Sequence, residues 1–250
     1  RARSVTDAIE MLTEWEDDAK IIAGGQSLVA MMAFRLARPM HLIDITHIDG
    51  LSGIRRVGKA LHVGALTTHH SVEHADLGRD FAVLSKAMKW VGHLPIRTRG
   101  TVGGSLAHAD PAADWISALS LIGADAIVWS RRGPRTIPVA DLVLSSFTTA
   151  LQGEAELIVE IIFPRPAPRA ALTEYAERRG DFAIVSAAVD LDSPAERLGG
   201  PTVVLGGVAA TPLLTDAGQD FGDHLDPAQF AAFSAAVAHQ VPLRDAAQVS

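Results

Sequence analysis

Two short segments hold the residues best suited to chemistry. They are Ala23-Gly24-Gly25-Gln26-Ser27-Leu28 and Thr101-Val102-Gly103-Gly104-Ser105, the second running on through His108 and Asp110 to Asp114. Glycine pairs let a backbone approach a ligand closely and turn successive N–H groups inward, and neighbouring hydroxyls and amides donate to phosphate oxygens. One such turn implies little. Two imply a pair of cradles for the two halves of a pyrophosphate, so a dinucleotide is the first ligand to consider. Neither segment has G-x-G-x-x-G or G-x-x-x-x-G-K-[ST] spacing, which removes support for the common dinucleotide and phosphate-loop folds. The plainer reading of the first segment is a tight strand-to-helix turn with Ser27 as an ordinary cap.

Asp114 is suited to accept hydrogen bonds from a ribose or an adenine amine, or else to cap the helix that follows. Asp110 precedes Pro111, a pair that initiates turns. His70 and His74 have metal-ligand spacing on a helix, but no H-E-x-x-H and no third ligand accompany them, so no metal site is expected. The four tryptophans, Trp15, Trp90, Trp115 and Trp129, are expected in the core, since aromatic rings serve burial first.

The elements that must position these residues follow from periodicity. Apolar positions Val5, Ala8, Ile9, Met11 and Leu12 behind Ser4 predict a capped helix. Lys20–Ala23, Leu28–Leu36 and Met40–Ile45 predict a strand–helix–strand unit whose first loop lies at a strand's carboxyl end, where phosphates bind. From Ile54 the pattern predicts a hairpin through Gly64, helices over Ser71–His74, Phe81–Trp90 and Asp114–Leu121, and strands over Ala126–Ser130 and Glu156–Phe163, in a mixed sheet. Pro164–Pro168 breaks the chain. Beyond it Phe182–Leu191 and Thr202–Ala209 read as strands, and Pro227–His239 as an alanine-rich helix.

A net charge of -7 and 5% aromatic residues oppose a nucleic-acid surface. With no cysteine, these 250 residues hold no disulfide and no thiolate-ligated cluster, so an iron–sulfur centre would belong to another polypeptide. No apolar run approaches a membrane span, and the first residues lack a signal's apolar region, so a cytoplasmic location is expected.

The first glycine segment, the run Ile96-Arg97-Thr98-Arg99-Gly100-Thr101-Val102-Gly103-Gly104-Ser105-Leu106-Ala107-His108-Ala109-Asp110-Pro111, the stretch Phe147–Leu151 and Arg178-Arg179-Gly180-Asp181-Phe182-Ala183 together resemble the FAD-binding medium subunits of molybdenum hydroxylases. The likeness runs in matching order from about Val5 to about Pro212. It implies an α+β fold: an FAD-binding domain of the vanillyl-alcohol-oxidase type with two α/β subdomains, residues 1–52 and 53–166, and a C-terminal α/β subdomain over 167–250. It implies that Ala23, Gly24, Gly25, Gln26, Ser27 and Leu28 join Thr101, Gly103, Gly104 and Ser105 in holding the pyrophosphate and adjacent ribose. It places Asp114 near the nucleotide, His108 near the flavin cleft, and Ile158 and Glu174 near the flavin ring. Leu172 stands where the family often has an aromatic residue, which leaves stacking on that face weaker or supplied by Tyr175.

The same resemblance implies a role. FAD would pass electrons from [2Fe-2S] clusters of a small partner chain to an external acceptor, molybdopterin would sit on a large partner chain, and the whole would be a dimer of heterotrimers. No residue of this chain is then expected to be catalytic. The alternatives are a self-contained flavin oxidoreductase and a flavin-free scaffold subunit.

Overall fold

A computed structural model describes residues 1–151, 155–192, 202–216 and 227–241. Helix α1 (Val5–Trp15) starts where the sequence signals it: Ser4 Oγ accepts the Asp7 amide at 3.0 Å while the Asp7 carboxylate accepts the Arg3 amide at 2.7 Å. This reciprocal cap fixes the first turn, and Ala8 and Ile9 face inward. Strands β1 (Ala19–Ile22) and β2 (His41–Asp44) pair in parallel around α2 (Leu28–Ala33). The α2 helix stops short of Leu36 because Arg35 turns to φ 59° and the Leu36 amide bonds back to the Met31 carbonyl at 2.8 Å.

The second region is a five-stranded sheet in the order β3-β4-β9-β5-β6: β3 (Ile54–Val57), β4 (Ala60–Gly64), β5 (Asp125–Ser130), β6 (Gly133–Pro138) and β9 (Leu157–Phe163). A small hairpin, β7 (Val143–Ser145) and β8 (Thr148–Thr149), stands apart. Every pairing in the larger sheet is antiparallel, which corrects the expected mixed sheet and the α/β description of this region. The long connection between β4 and β5 carries the helices: α3 (His69–His74), α4 (Ala82–Ala87), α5 (Leu94–Arg97), α6 (Val102–His108) and α7 (Asp114–Ile122). A short helix, α8 (Val139–Leu142), follows β6. The helices pack on the sheet around Trp115, Phe81 and Phe163, whose rings meet edge to face at 5.7 and 6.5 Å.

The third region is a four-stranded antiparallel sheet, β10 (Ala170–Tyr175), β11 (Val185–Asp190), β12 (Thr202–Gly206) and β13 (Leu213–Asp216), so α/β is corrected here too. Strand β10 was not expected from the sequence. All five residues of β12 are buried because the sheet is covered on both faces. Val203 and Leu205 meet Phe233 and Val237 of α9 (Pro227–His239), while Val204 joins the main core under α7. Arg165 of the proline-rich connection ties the two regions, its guanidinium 2.7 Å from the fully buried carboxylate of Asp190. No helix among the described residues is long and apolar enough to cross a membrane.

Candidate functional site

A bulge in β9 sets the position of the second glycine segment. Register between β5 and β9 skips Val159, whose carbonyl accepts the Ala65 amide at 3.0 Å, and the Ala65 carbonyl in turn accepts the Gly103 amide at 2.9 Å. Gly103 is needed for closeness: a Cβ there would lie 2.6 Å from that of Ala65. Thr101 caps α6, its hydroxyl oxygen accepting the Gly104 amide at 3.1 Å.

The expected cradle of Gly103 and Gly104 amides is therefore corrected. Both N–H groups are already bonded within the chain, and both glycines lie in the first turn of a helix rather than in a loop. What this segment offers is the hydroxyls of Thr101 and Ser105, the positive end of α6 and the exposed Gly104.

The first segment does supply amides. Among the described residues, the N–H groups of Gly24, Gly25, Gln26 and Ser27 donate to no backbone carbonyl. Gly25 has φ 72°, the conformation glycine permits, and Gly24 is pressed on the Arg99 carbonyl so closely that a Cβ would overlap it. One N–H of the Gln26 side chain bonds the Gly24 carbonyl at 3.0 Å, holding the turn. Ser27 occupies the cap position of α2, yet its hydroxyl makes no capping bond, so the plainer reading of this serine does not hold. The two segments touch: a Cβ on Gly104 would lie 3.9 Å from that of Ala23.

Both segments open onto one cleft of about 1210 Å³, which Ala23, Leu28, His108, Asp114 and Ile158 also line. His108 ends α6 half-buried, its ring 5.1 Å from that of Phe147, and burial lowers its pKa below the ordinary imidazole value. His69, missed by the sequence reading, lies under the cleft floor with Nδ1 3.2 Å from Met88 Sδ. Burial, reinforced by the Arg97 charge, pushes it down to about 4, so it is neutral at pH 7. Arg131 and Arg132, from the turn between β5 and β6, also line the cleft. Nothing local in the sequence marks that proximity.

Asp114 caps nothing. Its side chain is buried beside the Glu174 carboxyl and Ser186, and burial followed by the Glu174 interaction pushes it up to about 8. Glu174 itself lines a separate hollow of about 620 Å³ and reaches the cleft only through Asp114. Trp15 packs on His41 and Trp115 is fully buried, but Trp129 lies on the surface with 37% exposure, a correction to its expected core place. His70 and His74 do gain a third neighbour, Glu73, with ligand atoms within 4.8 Å of one another. Glu73 is already paired with Arg97 at 2.9 Å, and His74 Nδ1 with the His70 carbonyl at 2.9 Å.

Residues 1–166 match the family described as FAD binding domain in molybdopterin dehydrogenase. The chain is 41% identical over 211 residues to the 6-hydroxypseudooxynicotine dehydrogenase complex subunit alpha of Paenarthrobacter nicotinovorans, covering 82% of this chain and 71% of that one. It is 35% identical over 205 residues to the nicotine 6-hydroxylase medium subunit of the same organism, covering 82% and 72%. Among solved structures it superposes on carbon monoxide dehydrogenase from Hydrogenophaga pseudoflava with a TM-score of 0.88 and 30% identity, over 99% of this chain and 88% of the other. It superposes equally, at 0.88 and 32% identity over 98% and 87%, on quinoline 2-oxidoreductase from Pseudomonas putida 86. The order of the glycine segments, the cleft they share and these likenesses agree: the chain belongs to the FAD-binding domain family of molybdopterin dehydrogenases, as a medium, FAD-binding subunit of the molybdenum hydroxylase kind.

Proposed function

We propose that the cleft holds FAD with its pyrophosphate between the two glycine segments. The observation that carries this is the set of uncommitted donors: amides at Gly24, Gly25, Gln26 and Ser27 on one side, the Thr101 and Ser105 hydroxyls and the start of α6 on the other. Four free amides beside a helix start suit the oxygens of a diphosphate. Asp114 then stands toward the ribose, and Ile158 and His108 toward the flavin ring. Glu174 acts behind Asp114 and not on the ligand directly.

FAD, when bound, supplies the exchange between one-electron and two-electron carriers. This chain's residues do the rest: they hold the diphosphate, keep water from the apolar wall at Ile158, and keep His108 and His69 uncharged beside it. In this reading the chain relays electrons from [2Fe-2S] clusters of a small partner to an external acceptor, with molybdopterin on a large partner, in a cytoplasmic dimer of heterotrimers. The division into 1–52, 53–166 and 167–250, and the vanillyl-alcohol-oxidase type of the fold, belong to the same proposal. The dehydrogenases and hydroxylase it resembles support it.

Denaturing the purified chain and analysing the released small molecules by mass spectrometry tests the reading. One FAD per chain is expected. A colourless protein that releases none would overturn it.

A further inference from the structure

The second hollow has an electrostatic character opposite to that of the chain. Lys86 and Lys89, on and just after α4, and Arg178 and Arg179, just past β10, stand around it, although the chain as a whole carries -7. Several arginines elsewhere are matched: Arg56 to Asp80, Arg97 to Glu73, Arg135 to Glu156, Arg165 to Asp190. Among the described residues, none of these four side chains makes an ion pair or hydrogen bond. The sole acid in the wall, Glu174, points its carboxyl toward Asp114 and not at them. Four exposed cations without a side-chain partner around one concavity set up a positive field that attracts an anion.

The walls also suit a ring. Trp90 is half-buried and belongs to both hollows, and Tyr175 is 67% exposed at the other side. Two aromatic side chains lining a cavity of about 620 Å³, within the range of small-molecule sites, suit a planar molecule. Gly180, at φ 90°, packs on the His93 ring with no room for a Cβ, which holds the segment carrying Arg178 and Arg179 against the turn after Trp90.

We propose that this hollow binds a planar aromatic molecule bearing an acid group, and that this is the chemical class of the external electron acceptor. The second half rests on the reading of the chain as a flavoprotein: a ring against Trp90 lies one side chain from the cleft assigned to FAD.

The test is a titration of the full chain with anthraquinone-2-sulfonate, followed by tryptophan fluorescence and calorimetry, with uncharged 2-(hydroxymethyl)anthraquinone as control. One sulfonate site per chain is expected, weakened by salt and weakened about tenfold in Lys89→Gln/Arg179→Gln, the factor that ~1.4 kcal/mol of lost attraction produces. The Trp90→Leu variant is expected to weaken it further, and the uncharged control to bind at least about tenfold less tightly. Equal binding of the two anthraquinones, or of wild type and the double variant, would overturn the proposal. So would inorganic pyrophosphate displacing the sulfonate from the FAD-loaded chain at equal concentration, because the hollow would then read charge alone. Loss of the site in the chain assembled with its partners would show that an acidic protein surface covers it, again overturning the proposal. FAD content, measured separately on the same samples, distinguishes the readings: a chain without FAD that still binds the sulfonate fails only as a flavoprotein.

Discussion

The carboxyl of Asp114, in the first turn of α7, lies against the carboxyl of Glu174 on β10. Two acids, one from a helix and one from a strand of the third region's sheet, thereby meet at the edge of the cleft. Burial and the neighbouring acid hold Asp114 protonated at neutral pH, its pKa raised from 3.8 to about 8.

That proton has a sign. Between pH 4 and 8 the folded chain keeps a proton that the unfolded chain releases, so Asp114 makes stability fall as pH rises through this window, by at most about 1.4 kcal/mol per unit. Asp114→Asn, which keeps a neutral donor, is expected to remove this slope. Urea unfolding at pH 6 and 8 checks it: a variant that loses as much stability as wild type over this interval contradicts the assignment.

His69 acts in the opposite direction. Its pKa is lowered from 6.5 to about 4, so the unfolded chain binds the extra proton and stability is lost as pH falls from 6.5 toward 4. The two groups offset each other where their windows overlap. Asp114→Asn is therefore expected to expose a steep acid limb, and His69→Gln to flatten it, both read from urea midpoints between pH 4 and 6.5.

Glycine substitutions separate packing from binding. Gly103→Ala drives a methyl into Ala65 and is expected to cost about 1–3 kcal/mol. Ser27→Ala and Ser105→Ala remove hydroxyls that make no intrachain hydrogen bond among the described residues, and are expected to weaken FAD binding severalfold at unchanged unfolding midpoint. Thermal unfolding of the apo-chain beside FAD titration checks the contrast. A serine variant that unfolds earlier yet binds FAD normally would reverse the roles.

Arg165→Ala leaves the Asp190 carboxylate buried without its cation and is expected to destabilise the chain by about 3 kcal/mol. Arg165→Ala/Asp190→Ala should recover part of that loss in chemical unfolding. No recovery would mean that Arg165 acts through its packing and its hydrogen bonds to the Pro166 and Leu121 carbonyls.

Local chemistry made some of this legible in the sequence. Ser4 with Asp7, the strand before Gly24, and the alternating residues of the β3–β4 hairpin each announce their element within a few neighbours. Where geometry is long-range, the sequence is silent. The Gly103–Gly104 pair reads as a turn, yet Thr101 caps it into a helix and Ala65 takes one of its amides, a partner set by a bulge in β9. The antiparallel order of the central sheet depends on β9 inserting between β4 and β5, which no local pattern encodes. Asp114 stands out as an acid after a turn, but Glu174, its partner sixty residues on, is an ordinary alternating strand residue. The β10 strand itself, Ala-Ala-Leu-Thr-Glu-Tyr, carries too little apolar alternation to signal a strand.

Calorimetric titration of FAD into the apo-chain tests the central claim most directly. The account predicts one site with a sub-micromolar Kd, weakened by at least about tenfold in Gly24→Ala, where a Cβ would push the free amides away from the Arg99 carbonyl that seats them. Absence of saturable binding, or a Gly24→Ala chain that folds and binds FAD as tightly as wild type, would contradict it.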